Sequence, residues 1–143
     1  MAEISTLKEL VYRADEVFGD EPFVREYICR ELRDKSFRQF RRDCDSFGAW
    51  VQEHFPEGVH AAVIGSTSYE YLTAWFGIQC CGSVTVPLDN ANPAEKIADE
   101  VNRSDSEVII FDKRHEEDVE TFRRLCPQVK YFIHLHEKRD GML

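Results

Sequence analysis

The chain has 143 residues, a hydrophobic fraction of 43% and a formal net charge of −9, values that fit one folded domain and exclude disordered and collagen-like classes. The carboxylate excess repels phosphate backbones and anionic lipid, so nucleic acid is not an expected partner. No basic region leads an apolar stretch at the N-terminus and no window approaches a membrane-spanning run, so no transmembrane segment and a cytoplasmic location are expected.

In chain order, Leu7, Leu10, Val11, Ala14, Val17 and Phe18 fall on one face of a helix opened by a Thr6/Glu9 capping box and closed at Gly19. Two short strands, around 22–28 and 32–36, form a hairpin. A second capping box, Ser36 with Gln39, starts a helix with the stripe Phe40, Cys44, Phe47 and Val51, ending near Phe55 and Pro56. From His60 onward strands and helices alternate: HAAVIG, then SYEYLTAWFGIQCCG, SVTVPL, PAEKIADEVNRSD, EVIIFD, EEDVETFRRLC and KYFIHL. This rhythm predicts βαβ units whose parallel strands are buried on both faces by helices, with every strand's C-terminal end on one edge, where such folds bind ligands. The fold class is therefore α/β, a parallel sheet with helices on both faces, preceded by a helix and a β-hairpin. Residues 1–56 carry helix, hairpin and helix, 57–136 the alternating subdomain and 137–143 a tail.

Several residues invite a chemical reading. Asp89 follows an apolar strand, yet Asp89 and Asn90 are turn residues, and Asn92, Pro93 and Glu95 supply an N-cap, a first-turn proline and a capping glutamate. No second titratable group stands nearby in sequence, so the structural reading prevails. The segment GSTS, Gly65 to Ser68, follows the first parallel strand and opens a helix, where amides can meet an anion; capping of the helix at Tyr69 is the competing reading. His134 and His136 share a strand face without a third ligand, which points to a partly exposed strand end. Arg38, Arg41 and Arg42 beside Asp43 and Asp45 read as an ion-paired, solvated face. DKRHEED, residues 112–118, reads as a polar loop with an acidic helix start. The five cysteines, Cys29, Cys44, Cys80, Cys81 and Cys126, lie mostly in apolar periodic segments with no C-x-x-C pair, and read as reduced core thiols. No catalytic, cofactor-binding or metal-binding residue is assigned.

LTAWFGIQCCGSVTVPLDNANPAEKIADEVNRSDSEVIIF, residues 72–111, resembles the adenylate-forming (AMP-binding) enzymes, in which a helix ending in a small residue and glycine leads into an apolar strand, Pro-Leu-Asp and a Pro-Ala-Glu helix. SFRQFRRDCDSFGAWV is similar to that family's early helix entry, with Phe37, Gln39 and Phe40 at matching positions. Residues 101–135 most resemble the long-chain fatty acyl-CoA ligase branch. The resemblance implies ATP-dependent activation of a carboxylate to an acyl-adenylate, then transfer to coenzyme A, with ATP, Mg²⁺ and CoA as cofactors of a full-length enzyme. It also implies that this segment is an incomplete N-terminal domain, inactive alone, whose partner is the remainder of the ligase chain. GSTS lacks the second glycine and lysine of a phosphate loop, and neither G-x-x-x-x-G-K-[ST] nor G-x-G-x-x-G occurs. A stand-alone flavodoxin-like binding or signalling module and a scaffold role are the alternatives. Self-association is expected from the strand YFIHL and the Trp75/Phe76 helix.

Overall fold

In the computed structural model, residues 3–28 and 30–136 are described; Cys29 and the tail 137–143, for which the sequence suggests a core thiol and a tail, lie outside them. The elements are α1 (Leu7–Phe18), β1 (Pro22–Ile28), β2 (Glu31–Ser36), α2 (Phe37–His54), β3 (His60–Ile64), α3 (Tyr69–Cys80), β4 (Val84–Pro87), α4 (Ala94–Arg103), β5 (Val108–Phe111), α5 (Val119–Leu125) and β6 (Tyr131–His134). β1 and β2 form the separate antiparallel hairpin, and the other four strands form a parallel sheet in the order β4-β3-β5-β6.

Strand alternation sorts the core onto two faces. Ala62, Ile64, Ile109, Phe111 and Phe132 meet α4 and α5 through Ile97, Ala98, Val101, Val119 and Phe122. Ala61, Val63, Val108, Ile110 and Ile133 meet α2 and α3 through Val51, Phe55, Ala74 and Ile78. From β3 the chain steps one way to β4, then back past β3 to β5 and on to β6. Right-handed crossovers in opposite directions must lie on opposite faces, which puts α3 on one side and α4 and α5 on the other. A third cluster, Val11, Phe40, Cys44, Tyr69 and Cys80 with Phe23 and Phe76 against it, ties α1 and the hairpin to the outside of α2 and α3. The helices α2 and α3 cross closely because two glycines face each other: a Cβ at Gly48 would sit 2.9 Å from the Gly77 carbonyl oxygen.

Four expectations are corrected. Only Val11 of the α1 stripe is buried; Leu10, Val17 and Phe18 are exposed. The cause is polar tethering: Asp15 pairs with Arg38 and Arg41, and the Tyr12 hydroxyl donates to Asp45 Oδ1 at 2.9 Å, turning the helix onto its Val11–Tyr12–Asp15 edge. The strand β4 is not buried on both faces, because it is an edge of the sheet, and Val84 is 42% exposed. Residues 116–118 are turn, and α5 begins only at Val119. Trp75 and Phe76 are half-buried, Phe76 standing edge-on to Phe40 at 5.5 Å, so they form no uncovered aromatic face.

The Thr6/Glu9 capping box forms as expected. At Ser36 only half of the second one does: its side chain accepts from Gln39 N–H, while the Gln39 amide turns away to Asp43 Oδ1. Among the described residues no helix is long and apolar enough to cross a membrane.

Candidate functional site

The loops after β3 and β5 leave toward opposite faces of the sheet, which makes the gap between these adjacent strands the switch point where open α/β sheets form a crevice. The loops 65–68, 88–92 and 112–118 converge there. Asp112, only 7% exposed, accepts from Ser66 N–H through Oδ2 at 2.8 Å and from Arg114 N–H through Oδ1 at 3.0 Å. Its approach needs a bare backbone opposite, since a Cβ on Gly65 would lie 3.1 Å from Asp112 Oδ2. Burial pushes the Asp112 carboxyl up, but hydrogen bonds from Ser66 and Arg114 and the nearby His115 outweigh it and hold it below the usual carboxylate range.

His115, 3% exposed, completes the brace. Its Nδ1 lies 2.8 Å from Asp118 Oδ2 and its Nε2 2.8 Å from Asn90 Oδ1, while Asn90 Nδ2 reaches Ser66 Oγ at 3.4 Å. The imidazole thus ties the 112–118 loop to the 88–92 loop, and Asn90 and Asp112 each tie on to Ser66 of the third loop. Chemically this is a closed network, because the polar atoms of its members face one another.

The N-terminus of α3 is closed in the same way. Ser68 caps it by accepting from Tyr71 N–H, and Glu26 of β1 accepts from Tyr69 N–H at 2.8 Å. The Tyr69 hydroxyl donates to Asp43 Oδ2 at 2.7 Å, and burial, then the Asp43 carboxylate, raises its phenol above the usual tyrosine range. Beside it lies a groove of about 360 Å³ lined by Phe47, Tyr69, Ala74, Ile110, Ile133 and Leu135 among others. Lys35 Nζ stands 4.9 Å from the centroid of the Tyr69 ring at this groove.

The residues singled out in the sequence find definite places. Asp89 is a turn residue: its Oδ1 accepts from Ala91 N–H at 2.8 Å. Asn92 is not the cap of α4. Pro93 takes that position with extended backbone and no side-chain cap bond, while Asn92 Oδ1 accepts from Lys96 Nζ. Of GSTS, Ser68 is the cap, and the Ser66 amide is taken by Asp112 instead of an external anion.

Asp112 accepts both from Arg114 N–H, two residues on, and from Ser66 N–H, 46 residues back. His134 is buried, not partly exposed, with Nε2 3.0 Å from Glu116 Oε1, and His136 Nδ1 lies 3.7 Å from Glu70. Arg38 and Arg41 are ion-paired, with partners on α1 and at Asp20 as well as at Asp45. Cys44, Cys80, Cys81 and Cys126 are free thiols, and burial raises Cys44, Cys80 and Cys126. Among the described residues no group of three or more His, Cys, Asp or Glu is placed to hold a metal ion. The Asn90–His115 and Glu26–Tyr69 contacts escaped sequence reading because their members lie 25 and 43 residues apart, and no periodic pattern links such positions.

The model of a family described as AMP-binding enzyme matches residues 11–140. No curated protein matches. Among solved structures, an anthranilate CoA ligase in complex with anthranoyl-AMP superposes with a TM-score of 0.81 and 16% identity over 94% of this chain and 25% of its own. A Rhodopseudomonas palustris protein named as a long-chain-fatty-acid CoA ligase gives 0.81 and 13% over 96% and 34%. Acetoacetyl-CoA synthetase from Streptomyces lividans gives 0.83 and 19% over 96% and 24%. At these identities the likeness concerns the fold, and the chain spans between a quarter and a third of the length of such proteins.

Proposed function

The chain belongs to the AMP-binding enzyme family, and from that premise we propose that it forms the N-terminal part of an ATP-dependent acyl-CoA ligase acting on a long-chain fatty acid. The reaction joins the substrate carboxylate to the α-phosphorus of ATP with release of pyrophosphate, and the acyl group then passes to the thiol of coenzyme A as AMP leaves. The observation that carries this reading is the family match across residues 11–140. The fatty acyl branch rests on the pattern of residues 101–135. Within this reading residues 1–56 and 57–136 are two parts of one incomplete domain, and the location is cytoplasmic.

The described residues do not fit a triphosphate. At the crevice the Ser66 amide is spent on Asp112 and the Tyr69 amide on Glu26, and a carboxylate there repels phosphate. The 143-residue chain is accordingly inactive alone, with ATP, Mg²⁺ and CoA handled by the longer polypeptide. The test is pyrophosphate exchange into ATP with palmitate, acetate and benzoate as acids. No exchange is expected from the 143-residue chain, and palmitate-dependent exchange from the polypeptide read on past Leu143. Exchange by the short chain refutes the inactivity, and preference for benzoate or acetate refutes the substrate class.

A further inference from the structure

His115 is flanked by acceptors on both sides of its ring. Nδ1 faces Asp118 Oδ2 and Nε2 faces Asn90 Oδ1, each at 2.8 Å, in a residue that is 3% exposed. Only an imidazole with a proton on each nitrogen can donate to both. Asn90 Nδ2 then donates on to Ser66 Oγ at 3.4 Å, and the Ser66 hydroxyl keeps its own hydrogen for Asp112, which it meets together with the Ser66 N–H. The charges around the ring are the Asp118 and Asp112 carboxylates of its own loop, with Lys113 and Arg114 exposed beside it. Glu116 is directed to His134 and Asp89 to Ala91 N–H, while the other two loops present the uncharged Asn90 and Ser66.

A ring that gives up one proton meets a conflict. Asp118 holds the remaining proton on Nδ1, because a bare nitrogen against a carboxylate sets two lone pairs in contact. The bare Nε2 then faces Asn90 Oδ1 at 2.8 Å, again lone pair to lone pair, and burial keeps water from intervening. A carboxamide removes the conflict by half a turn, since it carries an acceptor and a donor of similar size on one carbon. We propose that Asn90 makes this turn, so that the proton on His115 decides to which loop the Ser66 hydroxyl is tied. With the charged ring, Ser66 accepts from Asn90 and donates to Asp112 in the 112–118 loop. With the neutral ring, Asn90 Nδ2 donates to His115 Nε2, Asn90 Oδ1 accepts from the Ser66 hydroxyl, and Asp112 keeps only the backbone donors Ser66 N–H and Arg114 N–H. The released proton passes to solvent, and the ring stays bonded at both nitrogens in either state. Ser66 is exposed at the crevice, so a cation or other donor that takes the place of its hydroxyl on Asp112 favours the neutral ring, and the proton on the ring opposes that donor by the same factor.

NMR of the isotope-labelled 143-residue chain tests it, from about pH 5 to about pH 9, which brackets the titration of imidazole. Asp112, held below the usual carboxylate range, stays ionised throughout and adds no titration of its own. The expected result is that His115 passes from two protonated nitrogens to one, on Nδ1, and that the Asn90 side-chain amide and Ser66 Cβ resonances move with the same midpoint. In Asn90→Leu, which cannot bond in either sense, His115 still titrates and the Ser66 Cβ response is lost. A Ser66 response that survives in Asn90→Leu is an effect of the ring's charge alone and overturns the proposal. Should that variant not fold, the wild-type chain decides: an Asn90 amide that stays unmoved while His115 titrates, or a neutral ring with its proton on Nε2, overturns it. So does a ring that keeps one protonation state across the whole range. Amides of residues 88–92 that exchange faster on deprotonation, beyond the intrinsic increase with pH, show the loop opening instead of the amide turning and overturn it as well.

Discussion

Replacing Asp112 by alanine tests the central brace most directly. The side chain accepts two backbone N–H bonds at 2.8 and 3.0 Å while 7% exposed, and its loss leaves the Ser66 and Arg114 donors facing an empty space against Gly65. Hydrogen bonds to a charged group contribute roughly 1.5–3 kcal/mol each, and Ser66 is exposed enough for water to compensate part of the loss, so a total near 3 kcal/mol is expected. For a domain of this size that is a fall of roughly 10 °C in Tm. Asp112→Asn keeps one oxygen but turns an amide donor toward one of the two N–H groups, and should fall between wild type and alanine.

The pH dependence gives an independent check. The Asp112 carboxyl is held below its unfolded value, so its contribution is complete above about pH 4, the unfolded value, and is lost as pH falls through the folded one. The cost of Asp112→Ala is therefore largest at pH 7 and shrinks on acidification below about pH 4. Urea titrations followed by tryptophan fluorescence at pH 7, 5 and 3 measure it. A loss under about 1 kcal/mol at pH 7, where roughly 3 is expected, or a cost that grows toward pH 3, refutes the reasoning.

Other perturbations probe other layers. Gly77→Ala puts a Cβ 3.0 Å from Phe47 Cδ1 and 3.1 Å from the Cys44 carbonyl oxygen, and the α2–α3 crossing must open at a cost of about 1–3 kcal/mol by denaturant titration. Glu26→Ala removes the acceptor of Tyr69 N–H and detaches the hairpin from α3; amides of β1 and β2 should exchange faster while those of β5 do not change. Burial raises the thiols of Cys44, Cys80 and Cys126, so less thiolate is present at pH 8 and iodoacetamide should spare all three until urea unfolds the chain, as peptide mass spectrometry will show.

Much of the architecture was legible because it depends on spacing along the chain. The period change at His60, the capping box at Thr6, the Ser68 cap and the alternation of strand and helix are local signals, and each is found where the spacing places it. The turn chemistry of Asp89 was likewise readable, since an Asx turn involves only residues two positions apart. The cap of α4 was misread within the same stretch: Pro93 adopts extended backbone at the cap itself, and Asn92 is drawn instead to Lys96 and Glu100.

Amino-acid order alone determined that alternating apolar strands and helices form a parallel sheet covered on both faces, because periodicity dictates which side chains can leave water together. Only the tertiary structure decided that β4 and β6 are edges, that α1 is turned off its apolar stripe by Asp15 and Tyr12, and that the crevice is closed by Asp112, His115 and Glu26. These outcomes depend on charges and hydrogen-bonding groups that meet across 25 to 46 residues of sequence. Such groups leave no period in the chain, and their partners are chosen by which loops the sheet brings to one edge.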